Sequence, residues 1–175
     1  FINGVKLNEG ADFVAKISSK PEKSRLLVDS YYDPFYYQYG YELKYLDNNK
    51  VIKDNSGNFN PIYYALSKPM KVPSTGQELE FSYYETGKLK TGLTNENSSE
   101  YNSLADYNMD TKQGLVEIRI PWLLLSFKDP SQKEIMGDLW QQGLKSSQII
   151  EDIGLNLVVS KDNYILQLRF SYYPY

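Results

Sequence analysis

The sequence predicts an all-β domain, a jelly-roll-like β-sandwich with one or two short helices. Three observations lead to this fold class: apolar residues alternate with a period of two in many short segments, clusters of turn-forming residues separate those segments, and no long amphipathic helix pattern occurs. The 175 residues are expected to form a single domain, because a chain of this length buries enough surface to be stable alone. The start at Phe1, without an initiator Met or signal peptide, predicts a fragment or C-terminal domain of a longer protein.

The first third of the chain contains several candidate strands. Ala11–Ile17 alternates clearly, and Ser24–Asp29 is short and apolar in its middle. Gly40–Leu46 alternates less regularly and is predicted as a weaker strand. Val51–Lys53 is predicted to pair back between two polar turns, and Ile62–Leu66 is predicted as the next strand.

The middle of the chain combines a predicted hairpin with a polar loop. Glu78–Tyr84 alternates between apolar and polar residues, and Gly87–Gly92 is a candidate partner strand. Thr94–Asp110 is rich in Asn and Ser and is predicted to be a long loop, a type of segment that often carries function.

Leu115–Pro121 has the clearest strand pattern. Pro121 ends the strand, and Trp122–Leu125 is predicted to form a helical turn, because proline suits the first helical position. A short helix is predicted over Ser131–Trp140, with Asp129 or Ser131 as its N-cap. The chain is then predicted to finish in a hairpin, whose strands are Gly154–Ser160 and Tyr164–Phe170.

Composition excludes several classes of function. The net charge is −3, from 19 basic and 22 acidic residues that are scattered along the chain, which argues against nucleic-acid binding. No apolar run approaches the ~20 residues that cross a bilayer, so membrane insertion is not expected. The chain has no cysteine and no histidine, so it lacks disulfides, thiol nucleophiles, the usual general base and the commonest metal ligand. No cofactor and no catalytic residue are therefore expected.

A resemblance to known domains rests on the segment Glu117-Ile118-Arg119-Ile120-Pro121-Trp122-Leu123-Leu124-Leu125. It is similar to the strand-to-turn signature E-x-x-I-P-W-x-x-L of family 9 carbohydrate-binding modules and related DOMON-like domains. Weaker matches lie at 25–34, 84–87 and 102–107. The resemblance implies a jelly-roll sandwich that serves as an accessory domain of a larger bacterial surface or sugar-processing protein, with an extracytoplasmic location favoured. Some relatives bind sugar between aromatic rings and others bind haem, but haem is not expected here because its usual His ligand is missing.

Tyrosine is the most abundant candidate for ligand binding. The chain has 17 tyrosines, and seven lie among the fifteen residues from Tyr31 to Tyr45. An aromatic face packs against the apolar face of a sugar ring, while neighbouring polar groups fix its hydroxyls. The alternative is that these tyrosines fill the core, because tyrosine has a high β propensity. The predicted ligand-binding residues are Tyr31, Tyr32, Asp33, Tyr36, Tyr37, Tyr39, Tyr101, Asn102 and Arg119.

A second, weaker candidate is a calcium loop. Asp106, Asn108, Asp110 and Glu117 occupy the first, third, fifth and twelfth positions of such a loop. However, Thr111 stands where the sharp turn requires glycine, and Glu117 lies in a predicted strand. The other interpretation is an ordinary Asx-turn, so the sequence predicts no metal site and leaves calcium at Asp106–Glu117 undecided.

The sequence leaves three functions to compare. The first is a non-catalytic accessory domain that binds an oligosaccharide or polysaccharide. The second is a structural domain that packs against another part of a larger, glycosyltransferase-like protein, in which case a large exposed apolar patch is expected. The third is a hydrolase that uses paired Asp and Glu residues, although 22 acidic residues make some close pair inevitable.

Overall fold

The structure is a computed structural model that describes residues 10–54, 56–161 and 164–172. Strands dominate it, which confirms the all-β class. The strands are β1 (Phe13–Lys16), β2 (Arg25–Asp29), β3 (Phe59–Pro61), β4 (Tyr63–Ser67), β5 (Met70–Lys71), β6 (Glu78–Leu79), β7 (Ser82–Glu85), β8 (Tyr107–Asp110), β9 (Leu115–Ile118), β10 (Phe127–Asp129), β11 (Glu134–Ile135), β12 (Gln148–Ile149), β13 (Ile153–Lys161) and β14 (Tyr164–Tyr172).

The strands pair antiparallel in small sheets. Two sheets have three strands, in the orders β1-β2-β3 and β10-β11-β12. Four further pairs are β4-β7, β5-β6, β8-β9 and β13-β14. Because the described strands do not join into two continuous sheets, the jelly-roll arrangement stays a prediction.

Helical segments are short. The α-helix α1 is Leu139–Gln142, and a π-helix spans Tyr36–Glu42. The 3₁₀ turns are Pro21–Lys23, Ser30–Tyr32, Trp122–Leu125, Pro130–Gln132 and Gly143–Lys145. Among the residues described, no helix has the length and apolar character needed to cross a membrane.

A core cluster forms between β2 and the start of β8. It contains Leu26, Leu89 and Tyr107, each at most 5% exposed. The side-chain hydroxyl of Ser24 donates a hydrogen bond of 3.1 Å to the hydroxyl of Tyr107, so the polar tip of the buried ring is paired. Leu124 also packs on this cluster, as expected for a helical turn that follows the Pro-Trp signature. The 3₁₀ turn Trp122–Leu125 confirms that local prediction.

Two predicted strands before residue 60 are wrong. Gly40–Leu46 does not extend a sheet, because most of it belongs to the π-helix and the residues that end it. Val51–Lys53 forms no strand either. The reason for the first error is a helix start at Asp33 and Pro34: the Asp33 carboxylate accepts hydrogen bonds from the backbone N–H groups of Phe35 and Tyr36.

The predicted hairpin of the middle region is also rearranged. Glu78–Tyr84 divides into the short β6 and the separate β7. Gly87–Gly92 is not the partner of β7 but runs beside β2, where the carbonyl of Gly87 accepts a 2.7 Å hydrogen bond from the N–H of Leu26. The predicted loop Thr94–Asp110 is irregular up to Asp106 and then becomes strand β8. Pairing with the sequence-distant β2 therefore determines the conformation of residues 87–92. Local alternation of apolar and polar residues contains no information about that pairing.

In the last third of the chain, the structure agrees better with the elements predicted from the sequence. Asp129 caps a helical turn as predicted, but Ser131–Trp140 is not one helix: it contains a 3₁₀ turn, β11 and the start of α1. The closing hairpin is confirmed as β13 and β14, and Asp162 and Asn163 of its predicted turn lie outside the described residues.

Gly87 provides a test of the packing around β2. A Cβ atom at this buried glycine would lie 2.4 Å from the carbonyl oxygen of Leu26, which is backbone and cannot turn aside. Gly87→Ala should therefore destabilise the domain by about 1–3 kcal/mol or more in urea unfolding, as overpacked sites do. Gly154→Ala is the matched control, because nothing lies within 4 Å of the added atom, and its stability should equal or slightly exceed that of the parent. Equal stabilities for the two variants would contradict the close approach.

Candidate functional site

Aromatic side chains of the tyrosine-rich segment, residues 31–45, belong to two clusters. The Trp140 cluster contains Tyr31, Tyr37, Tyr41 and Trp140. The Phe35 cluster contains Phe35, Tyr39, Tyr45, Tyr63, Phe81 and Tyr83. Phe35 and Tyr39 share one cluster and Tyr37 and Tyr41 share the other, because a spacing of four brings side chains to one side of a helix.

The Trp140 cluster attaches α1 to the segment that precedes the π-helix. The hydroxyl of Tyr31 donates a 2.8 Å hydrogen bond to Oδ2 of Asp138, and the indole N–H of Trp140 donates to the carbonyl of Tyr31 at 3.0 Å. The hydroxyl of Tyr32 donates to the carbonyl of Met136 at 2.5 Å. Tyr37 is buried, with its ring 5.2 Å from that of Trp140. Tyr37 is therefore part of the core, and the partly buried Tyr31 and Tyr32 are tied to the segment before α1 by hydrogen bonds.

Burial and the neighbouring Asp138 carboxylate shape the titration of this cluster. Burial, followed by the hydrogen bond to Asp138, raises the pKa of Tyr31 to about 12. Burial likewise raises the pKa of Tyr32 to about 12. For Asp138, burial alone would raise the pKa, but the hydrogen bond from Tyr31 and those from the N–H groups of Gln141 and Trp140 lower it overall. Both tyrosines therefore keep their protons at neutral pH and act as hydrogen-bond donors.

Asp33 is a buried structural carboxylate. Besides the two N–H groups of the helix start, it accepts a 2.9 Å hydrogen bond from the side-chain amide of Asn60 in β3. Burial raises its pKa, and the three hydrogen bonds oppose part of that rise. With 3% of its surface exposed, Asp33 faces the protein interior and fixes the π-helix to β3.

Tyr36 and Tyr39 lie at different depths. Tyr36 is buried, and its hydroxyl donates to the carbonyl of Lys50 at 2.7 Å. Tyr39 is half-buried, with its ring 5.1 Å from that of Phe81 and 6.4 Å from that of Tyr45. Of the predicted tyrosines, Tyr39 is therefore the one that supports the partly exposed rings of the Phe35 cluster.

Tyr101, Asn102 and Arg119 belong to another part of the fold. The guanidinium of Arg119 donates hydrogen bonds to the carbonyls of Ser103 and Ala105, at 2.6 and 2.8 Å. The side-chain carbonyl of Asn102 accepts from the N–H of Leu104 at 3.0 Å, and the N–H of Tyr101 donates to Ser98. Within the described residues, no hydrogen bond links this loop to the tyrosines of residues 31–39. The nine predicted site residues thus fall in separate regions.

The candidate calcium loop is a β-hairpin made of β8 and β9. Asp106 accepts from the N–H of Lys90, and Asp110 accepts from the N–H groups that follow it in an Asx-turn. Glu117 accepts from the hydroxyl of Thr94 at 2.7 Å. In the described part of the chain, no group of three or more acidic side chains is arranged to hold a metal.

An open pocket of about 480 Å³ lies beside the Phe35 cluster, at the β5-β6 hairpin. Its lining combines apolar and aromatic residues with three charged ones. The lining residues are Tyr45, Pro69, Met70, Lys71, Glu78, Leu79, Glu80 and Phe81. None of them is among the nine predicted site residues, although Tyr45 belongs to the tyrosine-rich segment. The pocket brings Tyr45, which follows the π-helix, together with Phe81 and the β5-β6 hairpin, and no local pattern contains that information.

The chain has no significant match among family models, curated proteins or solved structures. The resemblance to family 9 carbohydrate-binding modules and DOMON-like domains therefore stays a prediction from the Pro-Trp segment.

The bond between Tyr31 and Asp138 can be tested by Tyr31→Phe. Loss of the hydroxyl leaves a charged acceptor without one of its donors, so the free energy of unfolding should fall by about 1–3 kcal/mol in urea at neutral pH. Tyr84→Phe is the control, because the Tyr84 side chain is exposed. If both substitutions have the same small effect, the bond does not hold α1 in place.

The buried carboxyl group of Asp33 is expected to make the stability of the domain depend on pH. Burial raises the pKa of Asp33 above the ordinary value of 3.8. At a pH between the unfolded and the folded pKa, the native state therefore keeps a proton that the unfolded chain releases. Its contribution is therefore fully present below the unfolded pKa and is lost as the pH rises through the higher folded pKa.

The measurement compares unfolding free energies of the parent and Asp33→Asn from about pH 4 to pH 7. The parent should lose stability relative to Asp33→Asn as the pH rises. Asp110→Asn, in a surface Asx-turn, controls for the substitution itself. A difference that stays constant or grows in favour of the parent would refute the raised pKa.

Proposed function

We propose that this chain is a non-catalytic carbohydrate-binding domain and that the pocket beside the Phe35 cluster is its glycan site. The observation that supports the proposal is the combination, in one open pocket, of the rings of Tyr45 and Phe81 with the charged side chains of Lys71, Glu78 and Glu80. Aromatic rings and a few polar groups are what a sugar requires of its binding site.

The aromatic part of the pocket is held in place from behind. The rings of Tyr45 and Phe81 lie 5.3 Å apart, and both pack against Tyr39. Phe35, only 7% exposed, packs beneath Phe81 at 5.9 Å. A rigid aromatic surface lowers the entropy lost on binding, so this support favours ligand affinity.

The polar part of the pocket lies on the β5-β6 hairpin. Lys71 and Glu78 stand opposite each other across the two strands, and Glu80 follows β6. Ammonium groups donate and carboxylates accept hydrogen bonds, so together they match sugar hydroxyls, which do both. The missing His and Cys side chains and the open shape of the pocket support binding without catalysis.

A second candidate function is docking to another part of a larger protein. It is favoured by the outer face of β4 and β7, where Tyr64, Leu66 and Tyr84 are each more than half exposed and Tyr64 lies opposite Tyr84. Exposed apolar patches often mark interaction surfaces. This face differs from the pocket, so glycan titration separates the two functions.

The glycan proposal is tested by titrating the domain with soluble and insoluble glycans. Binding should change the aromatic fluorescence, and Tyr45→Ala should weaken it by roughly tenfold, because one aromatic contact contributes about 1 kcal/mol or more. Tyr64→Ala is the matched control outside the pocket and should bind like the parent. Urea unfolding of both variants verifies that they fold.

No binding to any member of the panel would refute the glycan function and favour docking. Equal weakening by Tyr45→Ala and Tyr64→Ala would show that the pocket is not the site.

A further inference from the structure

The charged residues of the pocket indicate which glycans it would prefer. Glu78 and Glu80 contribute two negative charges to the lining and Lys71 contributes one positive charge. The Lys71 ammonium lies 3.9 Å from Oε1 of Glu78, so this pair is largely neutral as a unit. Glu80 makes no salt bridge within the described part of the chain, which leaves the pocket with an excess negative charge.

The aromatic rings also favour a positively charged ligand. The face of an aromatic ring is electron-rich and attracts a cation held above it. The rings of Tyr45 and Phe81 both line the pocket and lie 5.3 Å apart. A cation in the pocket would also lie in the field of Glu80, which belongs to the same lining.

The geometry points to a pocket that selects a positively charged glycan, built from amino sugars with free amines. This inference rests on the proposed glycan-binding function and adds the charge of the ligand. The sugar ring lies against Tyr45, Phe81 and the apolar side chains, and its ammonium group pairs with Glu80. A neutral glycan keeps the ring contacts and loses the ion pair, and an acidic glycan is repelled.

The test compares glucosamine hexamer, its fully N-acetylated form and an oligogalacturonate by calorimetric titration, at a mildly acidic pH at which the amines are protonated. Exposed ion pairs and cation–π contacts are individually weak, so the glucosamine hexamer should bind roughly three- to thirty-fold more tightly than the acetylated one. The preference should shrink in high salt, which screens exposed charges.

Two pairs of variants locate the preference in the pocket. Glu80→Gln should remove most of it, while Glu100→Gln, an exposed residue outside the pocket with the same change in net charge, should leave it intact. Lys71→Gln should strengthen the preference because it frees Glu78, and Lys112→Gln is its exposed control.

The outcomes distinguish this inference from the proposed function. Equal affinity for the free and acetylated hexamers overturns the charge preference and leaves glycan binding standing, whereas no binding to any glycan overturns both. Equal effects of Glu80→Gln and Glu100→Gln would assign the attraction to the charge of the whole protein and overturn the inference. Hexalysine that binds as tightly as the glucosamine hexamer would show recognition of amines without sugar, and would also overturn it.

Discussion

The buried carboxylate of Asp33 is the constraint on which the rest of the aromatic structure depends. It begins the helical segment through the N–H groups of Phe35 and Tyr36, and it joins that segment to β3 through Asn60. A carboxylate this deeply buried is costly unless its oxygens are paired, and here three donors meet it. The rotation of the π-helix, and so the side on which each tyrosine lies, follows from this anchor.

The rotation of the π-helix about its axis determines which neighbours each of its tyrosines contacts. Tyr37 and Tyr41 turn toward Trp140, where the hydrogen bonds of Tyr31 and Tyr32 to the segment before α1 close the cluster. Phe35 and Tyr39 turn toward β4 and β7 instead. Within residues 31–45, Tyr36 and Tyr37 are therefore buried, whereas Tyr45 lines the pocket.

The candidate site is a product of that core. Tyr45 and Phe81 are 36 positions apart in the chain, and their rings meet where Tyr39 packs against both. The nine residues selected from the sequence include Tyr39 but none of the pocket lining. One signal for the helix was present in the sequence: Asp33-Pro34 is a favourable helix start, and the spacing of Phe35 to Tyr39 and Tyr37 to Tyr41 is helical. The strong β propensity of tyrosine favours a strand for the same residues, so the sequence pattern predicts a strand there instead of the helix.

The sequence by itself determined the all-β class, the closing hairpin, the turn after Pro121 and the lack of His and Cys chemistry, since these follow from local alternation, proline geometry and composition. Tertiary structure decided that residues 36–42 form a helix in spite of the β propensity of tyrosine, that Gly87 pairs beside Leu26 and that a pocket opens at β5 and β6. The physical reason is the range of the interactions. Backbone preferences act over a few residues, whereas the buried Asp33–Asn60 bond and the contacts among rings join segments far apart in the chain.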